Sequence, residues 1–402
     1  MPNGHRRSGE GTVRRLDPGL RRGDDHDRMA RGPARWISQA CPVNLTSMPH
    51  APTDLLGHID HGFDTLIDVR SPSEFAEDHT PGAVNMPVLS DKERARVGTI
   101  YKQVSAFEAR KVGGALVARN TAAHVEAHMQ SRDGSWRPLV QCWRGGMRSG
   151  AFATILRAIG WRAETVEGGY KAYRAQVVRT LYGDACPAPV VLLGGLTGTA
   201  KTAILDRLPG HGVQTLDLEG LANHRGSLFG WQGAQPSQKA FETELAQRIV
   251  RLNTNEPVVV EAESSKVGER SVPVSLWKAM RAAPTVEVAA SLEARAAFTV
   301  RAYADVAEDA DRLARLIDKL RPYQPADRIE AWHALAGEGA HEALAAALMA
   351  HHYDPRYAKQ AGRGAAPART VPLHDLSEDA LNEAAARVAA AVRATHPLLP
   401  RT

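Results

Sequence analysis

Two stretches of this chain repeat one design, an apolar run followed by a glycine-rich loop and the start of a helix. The first is "PLVQCWRGGMRSGAFATILRAIG" (138–160) and the second "VVLLGGLTGTAKT" (190–202). In the first, Phe152, Ile155, Leu156 and Ile159 recur at helical spacing and Gly160 follows as a C-cap. A strand that runs directly into a loop and a helix, twice over, calls for parallel sheets covered by helices. In such folds the chemically active residues gather at the carboxyl ends of the strands.

Further strands are expected at "DTLIDVR" (64–70), "VQTLDLEG" (213–220), "PVVVEAE" (257–263) and "TVEVAA" (285–290). Helices are expected from about Ser237 to Leu252, through the alanine-rich text from Ser291 to about Met349, and at "LNEAAARVAAAVRA". A chain of 402 residues is too long for one compact core. Two prolines in "LYGDACPAPV" (181–190) interrupt the rhythm, dividing the chain into one α/β module at 48–183 and a second, with a helical C-terminal part, at 184–402.

The formal net charge of +5 is unevenly placed: residues 1–47 carry nine arginines against five acidic residues, leaving the rest of the chain near neutrality. That leading segment is rich in Arg, Gly, Asp and Pro without apolar periodicity. It reads as a disordered tail, or as sequence upstream of a true start at Met48. No window approaches ~20 uninterrupted apolar residues, which excludes a helical membrane span. Cysteines at 41, 142 and 186 form no disulfide framework, so a reducing cytoplasm is the expected compartment.

In the first loop, Cys142 ends the strand and Arg148 lies at C-x5-R spacing from it. Backbone amides of Arg144, Gly145, Gly146 and Met147 can converge into an anion cradle, with positive φ angles expected at Gly145 and Gly146. Arg148 would close it, and the helix N-terminus would add positive potential. That field should lower the thiol pKa and leave Cys142 a nucleophilic thiolate. Asp68 and Arg70 are expected to support the loop.

The second loop fits G-x4-G-K-[ST] with Ala200 in place of the second glycine. Gly195, Gly198, Lys201 and Thr202 are the candidate diphosphate-binding residues, and Thr202 is a candidate Mg2+ ligand. Glu261 and Glu263 are two apart on an expected strand; Glu263 is the candidate for metal support or base work, a solvated strand end being the alternative. His351 and His352 lack companions at metal-ligand spacing and read as surface residues, so no metal site is assigned.

Between Trp143 and Thr180 seven basic residues face two acidic ones, and Tyr170 and Tyr173 interleave with them. Tyr170, Lys171 and Arg174 are candidate nucleic-acid contacts there, the alternative being a solvated helix face. His224 and Arg225 in "NHRGSLFG" (223–230) are a second candidate contact for phosphates.

The stretch "LIDVRSPSEFAEDHTPGAVNMP" (66–87) resembles the rhodanese-domain signature, although rhodaneses commonly place four residues between cysteine and arginine. Five also occur in rhodanese-related phosphatases, so the loop alone leaves both chemistries open. Rhodanese and phosphate-loop modules in series resemble the tRNA 2-selenouridine synthase family. The blocks "DKERARVGTIYKQ" (91–103), "CWRGGMRS" (142–149), "EGGYKAYR" (167–174), "GGLTGTAKT" (194–202), "LANHRGSLFG" (221–230), "QPSQKAFE" (235–242), "EAESSKVG" (261–268) and "YDPRY" (353–357) carry the likeness in order. The resemblance implies exchange of sulfur for selenium in wobble 2-thiouridine of tRNA. It implies selenophosphate and geranyl diphosphate as co-substrates, an S-geranylated intermediate, and a selenophosphate-producing enzyme as a partner.

Overall fold

The computed structural model describes residues 49–183, 186–225, 233–262, 264–361 and 366–395. The expectations for residues 1–47, Glu263 and positions 226–230 fall outside that range.

The first module is a four-stranded parallel sheet with β1 (Thr65–Asp68), β2 (Val84–Asn85), β3 (Pro138–Gln141) and β4 (Glu164–Thr165) in the order β2-β1-β3-β4. After a short helix at Leu55–Ile59, its helices are α1 (Pro72–Glu77), α2 (Asp91–Gln103), α3 (Ala106–His128), α4 (Met147–Ile159) and α5 (Gly169–Tyr182). Strand β3 is buried at all four positions, as an apolar run in the middle of a parallel sheet must be. It ends one residue before Cys142. Helix α4 stops at Gly160, whose φ of 116° is open only to glycine-like backbone.

The second module has β5 (Val190–Gly194), β6 (Gln214–Leu216), β7 (Val258–Glu261), β8 (Thr285–Ala289) and β9 (Arg369–Pro372) in the parallel order β9-β8-β5-β7-β6. Helices α6 (Lys201–Leu205), α7 (Leu218–Ala222), α8 (Gln238–Ile249) and the C-terminal α13 (Glu378–Thr395) cover it. The expected strand at 213–220 is shorter, because the Asp217 side chain accepts from the Gly220 amide and caps α7 instead. The alanine-rich region breaks into α9 (Leu292–Ala302), α10 (Ala310–Asp318), α11 (Ala326–Gly337) and α12 (His341–Leu348), packed around Ile317, Ile329 and Trp332. A π-helical turn at Met349–Tyr353 follows and rotates His352 inward. His352 is therefore buried against Gln324 and Arg356 rather than on the surface.

One core cluster spans both modules. Tyr170, Tyr173, Val177 and Leu181 of α5 pack with Phe241, Leu245 and Ile249 of α8 and with Val258 and Val260 of β7. The prolines after α5 therefore do not separate two independent cores.

Candidate active site: a thiolate loop and a phosphate loop

Cys142 lies buried at the floor of its loop. Burial opposes ionisation, but the Ser149 hydroxyl and the amides of Ser149, Gly146 and Arg144 all hydrogen-bond the sulfur. Together they outweigh it and hold the thiol below its ordinary value. Ser149 is a candidate site residue that the motif reading passed over. It sits one position beyond Arg148, in the first turn of α4, where its hydroxyl turns back to Sγ at 3.3 Å. Arg144, Gly146 and Met147 are exposed around the mouth.

Gly145 has the expected positive φ of 65°, but Gly146 does not: it is the N-cap of α4 at φ −106°. The second glycine that matters is Gly169, at φ 57°. A Cβ there would stand 2.2 Å from the Cys142 carbonyl oxygen. Its position brings the Tyr170 and Lys171 amides onto the carbonyls of Cys142 and Trp143, at 2.9 Å each, which pins the loop to the start of α5.

Asp68 and Arg70, the residues expected to support the loop, are both fully buried and paired with each other. Arg70 Nη2 meets Asp68 Oδ2 at 2.7 Å, and Gln141 donates to the same carboxylate at 3.1 Å. The guanidinium lies 3.7 Å over the Tyr170 ring. The Tyr170 hydroxyl donates to Asp78, which also accepts from Thr243 at 3.1 Å. Burial first, and then Asp78, push the Tyr170 phenol well above its usual value.

These contacts correct the nucleic-acid assignment. Tyr170 and Tyr173 are core residues with no face free for a base. Arg174 is committed to Glu242 and to the Lys239 carbonyl. Of that group only the Lys171 side chain is exposed.

Glu74, another residue the sequence reading missed, closes the cradle from α1. Its Oε2 lies 3.2 Å from Arg148 Nη1 and 3.0 Å from Arg94 Nε. Burial works against its charge, but Arg148, the Ser71 amide and Arg94 hold it below the usual carboxylate range.

The phosphate loop follows β5, at the centre of the second sheet. Lys201 Nζ donates to the Gly195 carbonyl at 3.0 Å, and the Tyr357 hydroxyl accepts from the Gly195 amide at 3.2 Å. Ala200 takes the φ of 58° that its consensus glycine would take freely. Thr202 Oγ1 lies 2.6 Å from Glu261 Oε1 and 3.3 Å from Glu219 Oε2. The acidic partner of this loop among the described residues is therefore Glu261, at the end of β7, with Glu219 beside it. The loop opens on a cavity of about 500 Å3 between the sheet and the helical part. Phe298, Val306, Leu313, Leu344, Leu348 and Met349 form its apolar walls. His224 and Arg225 line the same cavity, with Arg225 paired to Asp305 at 3.0 Å, so they belong to the phosphate loop's site.

Family models match in the same two places, a rhodanese-like domain at residues 51–176 and the tRNA 2-selenouridine synthase AAA domain at residues 188–321. A tRNA 2-selenouridine synthase from Verminephrobacter eiseniae is 38% identical over 350 residues, 77% of this chain and 92% of that protein. One from Alcanivorax borkumensis is 32% identical across 73% of this chain and 88% of that protein. This chain belongs to the tRNA 2-selenouridine synthase family. Its match to the member from Pseudomonas syringae pv. tomato, at 39% identity, takes in 57% of this chain and 63% of that one. In this member of the tRNA 2-selenouridine synthase family, one core cluster joins the module that carries Cys142 to the module that carries Lys201. Among the described residues no helix is long and apolar enough to cross a membrane.

Proposed function

We propose that the protein replaces sulfur by selenium in wobble 2-thiouridine of tRNA, with selenophosphate as donor, through an S-geranylated intermediate made from geranyl diphosphate. The observation that carries this reading is the cavity. It joins a diphosphate-binding loop at one end to walls of Phe298, Val306, Leu313 and Leu348 beyond. A site of this volume with a polar, charged end and an apolar wall suits a small amphipathic ligand, and a prenyl diphosphate has that division of character.

On this reading the amides of the phosphate loop and Lys201 hold the diphosphate. The thiocarbonyl sulfur of the tRNA base attacks the first carbon of the prenyl chain, the carbon–oxygen bond breaks, and diphosphate leaves with its charge already neutralised. Thr202, Glu219 and Glu261 offer the hard oxygen donors that Mg2+ takes alongside phosphates, and the ion would add charge neutralisation there. The loop amides with Arg148 hold the phosphate of selenophosphate beside Cys142. The selenium bonds to C2 of the prenylated base as the carbon–sulfur bond breaks and geranylthiolate leaves, and water takes the phosphoryl group from selenium as phosphate. The thioether-like sulfur leaves more readily than a thiocarbonyl. An arriving anion competes with Glu74 for the Arg148 guanidinium.

Nucleoside analysis of tRNA tests the reading, in a strain lacking the gene and complemented with each variant. Wild type restores 2-selenouridine and Cys142→Ser does not. Lys201→Ala removes the prenylated nucleoside. Restoration of 2-selenouridine by Cys142→Ser, or unaltered prenylation in Lys201→Ala, contradicts the assignment.

A further inference from the structure

With Tyr170 and Tyr173 in the core, the protein needs another surface for RNA, and the α2–α3 hairpin presents one. The two helices run antiparallel. Glu93 meets Arg119 at 3.2 Å and Asn120 at 2.9 Å near the base, and Val97 lies against Gly113 farther out. The chain turns at Val104 and Ser105, where the Ser105 side chain caps α3.

The tip is unusual for a soluble surface. Tyr101, Val104 and Phe107 are 64%, 68% and 61% exposed, which leaves two aromatic rings and a branched aliphatic in solvent within seven residues. Isolated exposed apolar residues are ordinary; a cluster of large ones signals a partner. Its surroundings are basic. Arg96, Lys102 and Arg110 are exposed and make no ion pair among the described residues. Lys111 lies over the Phe107 ring at 5.5 Å and pairs with Glu108. Flat rings among unpaired cations match a partner that offers both stackable bases and phosphates, as the unpaired loop of an RNA does.

The base of the hairpin is fixed to the mouth of the Cys142 loop. Asp91, the first residue of α2, accepts from the Ser73 hydroxyl at 2.5 Å, and Arg94 shares Glu74 with Arg148. From Arg94 to Tyr101 is seven residues of helix, or about 10 Å. A few nucleotides of a splayed loop cover that distance. The tip thus stands about two helical turns from the residue that shares Glu74 with Arg148.

We propose that the α2–α3 hairpin is the docking arm for the anticodon loop of the tRNA. Tyr101 and Phe107 stack on unpaired bases, and Arg96, Lys102 and Arg110 take backbone phosphates. The inference rests on tRNA being the substrate.

The test is fluorescence anisotropy of the full chain with two labelled RNAs, a 17-nucleotide anticodon stem-loop carrying 2-thiouridine at the wobble position and a blunt duplex of similar charge. Tyr101→Ala combined with Phe107→Ala should weaken stem-loop binding by at least about 10-fold and duplex binding little. Lys102→Ala combined with Arg110→Ala should weaken both and reduce the log–log salt slope by about 1.5. Thermal unfolding should be unchanged, since all four side chains are exposed. Wild type that binds the stem-loop, with both variants binding equally well, overturns the docking arm and leaves the tRNA substrate standing. Variants that change self-association in sedimentation but not RNA binding likewise overturn it, making the tip a protein interface. Wild type that binds neither RNA removes the tRNA reading, and the arm falls with it.

Discussion

The Ser149 hydroxyl lies 3.3 Å from the Cys142 sulfur, donating to it across one turn between β3 and α4. Together with the loop amides it favours the thiolate against the opposing effect of burial. Hydrogen bonds to charged groups contribute roughly 1.5–3 kcal/mol. Ser149→Ala should therefore raise the Cys142 pKa by about one unit or more and slow its alkylation at pH 7 by about 10-fold. Stopped-flow alkylation with mass-mapped products checks this; an unchanged rate would mean that the amides alone set the ionisation.

Tyr170 belongs to the buried network Arg70–Asp68 and Asp78–Thr243. Tyr170→Phe keeps the ring under Arg70 but leaves Asp78 short of a donor. Urea unfolding should show a loss of about 1–3 kcal/mol, with RNA affinity unaltered. Weakened RNA binding at full stability would return this residue to the substrate surface.

Ala200 carries a left-handed backbone in the phosphate loop. The conformation costs about 1–2 kcal/mol for a residue with a Cβ, partly offset by the freedom glycine gains in the unfolded chain. Ala200→Gly should thus raise stability by up to about 1 kcal/mol and retain diphosphate binding. Ala200→Val should lower both, in thermal unfolding and in calorimetric titration with inorganic diphosphate.

His58 is buried edge-on to Tyr173, with ring centroids 5.8 Å apart, and its Nε2 has no hydrogen-bond partner among the described residues. Burial, helped by the neighbouring His50, lowers its pKa from 6.5 to about 4. The unfolded chain protonates this ring near 6.5 while the folded protein resists until about 4, so the unfolded state binds more protons between those values. Its contribution is therefore complete above pH 6.5 and is lost as pH falls toward 4, by about 3 kcal/mol. His58→Leu should flatten the dependence of unfolding free energy on pH across that window.

What sequence reading recovered was what a few adjacent residues decide. The Cys142 and Lys201 loops are each set by a strand, two or three small residues and a helix start, all within about twenty positions. Its errors came from distance along the chain. Tyr170 looked like a stacking residue because Asp78 and the α8 helix that bury it lie 92 residues before it and 68 or more after it. Glu74 was passed over because Arg148 is 74 residues away. A two-residue period puts Glu261 and Glu263 on one face and does not say which of them meets the loop; Glu263 lies outside the described residues. The pairing of Glu261 with Leu193 shows that the strand reaches the phosphate loop at Glu261.

The proposed chemistry needs Cys142 to ionise more readily than an ordinary thiol, and Cys186 supplies an internal standard, since burial raises its pKa. The direct measurement is the pH dependence of alkylation at each cysteine, resolved by peptide mass mapping. Cys142 should titrate below the free-cysteine value of about 8.5 and Cys186 above it. Inorganic phosphate should protect Cys142 alone. Titration of Cys142 at or above 8.5, with no protection by phosphate, would contradict the account.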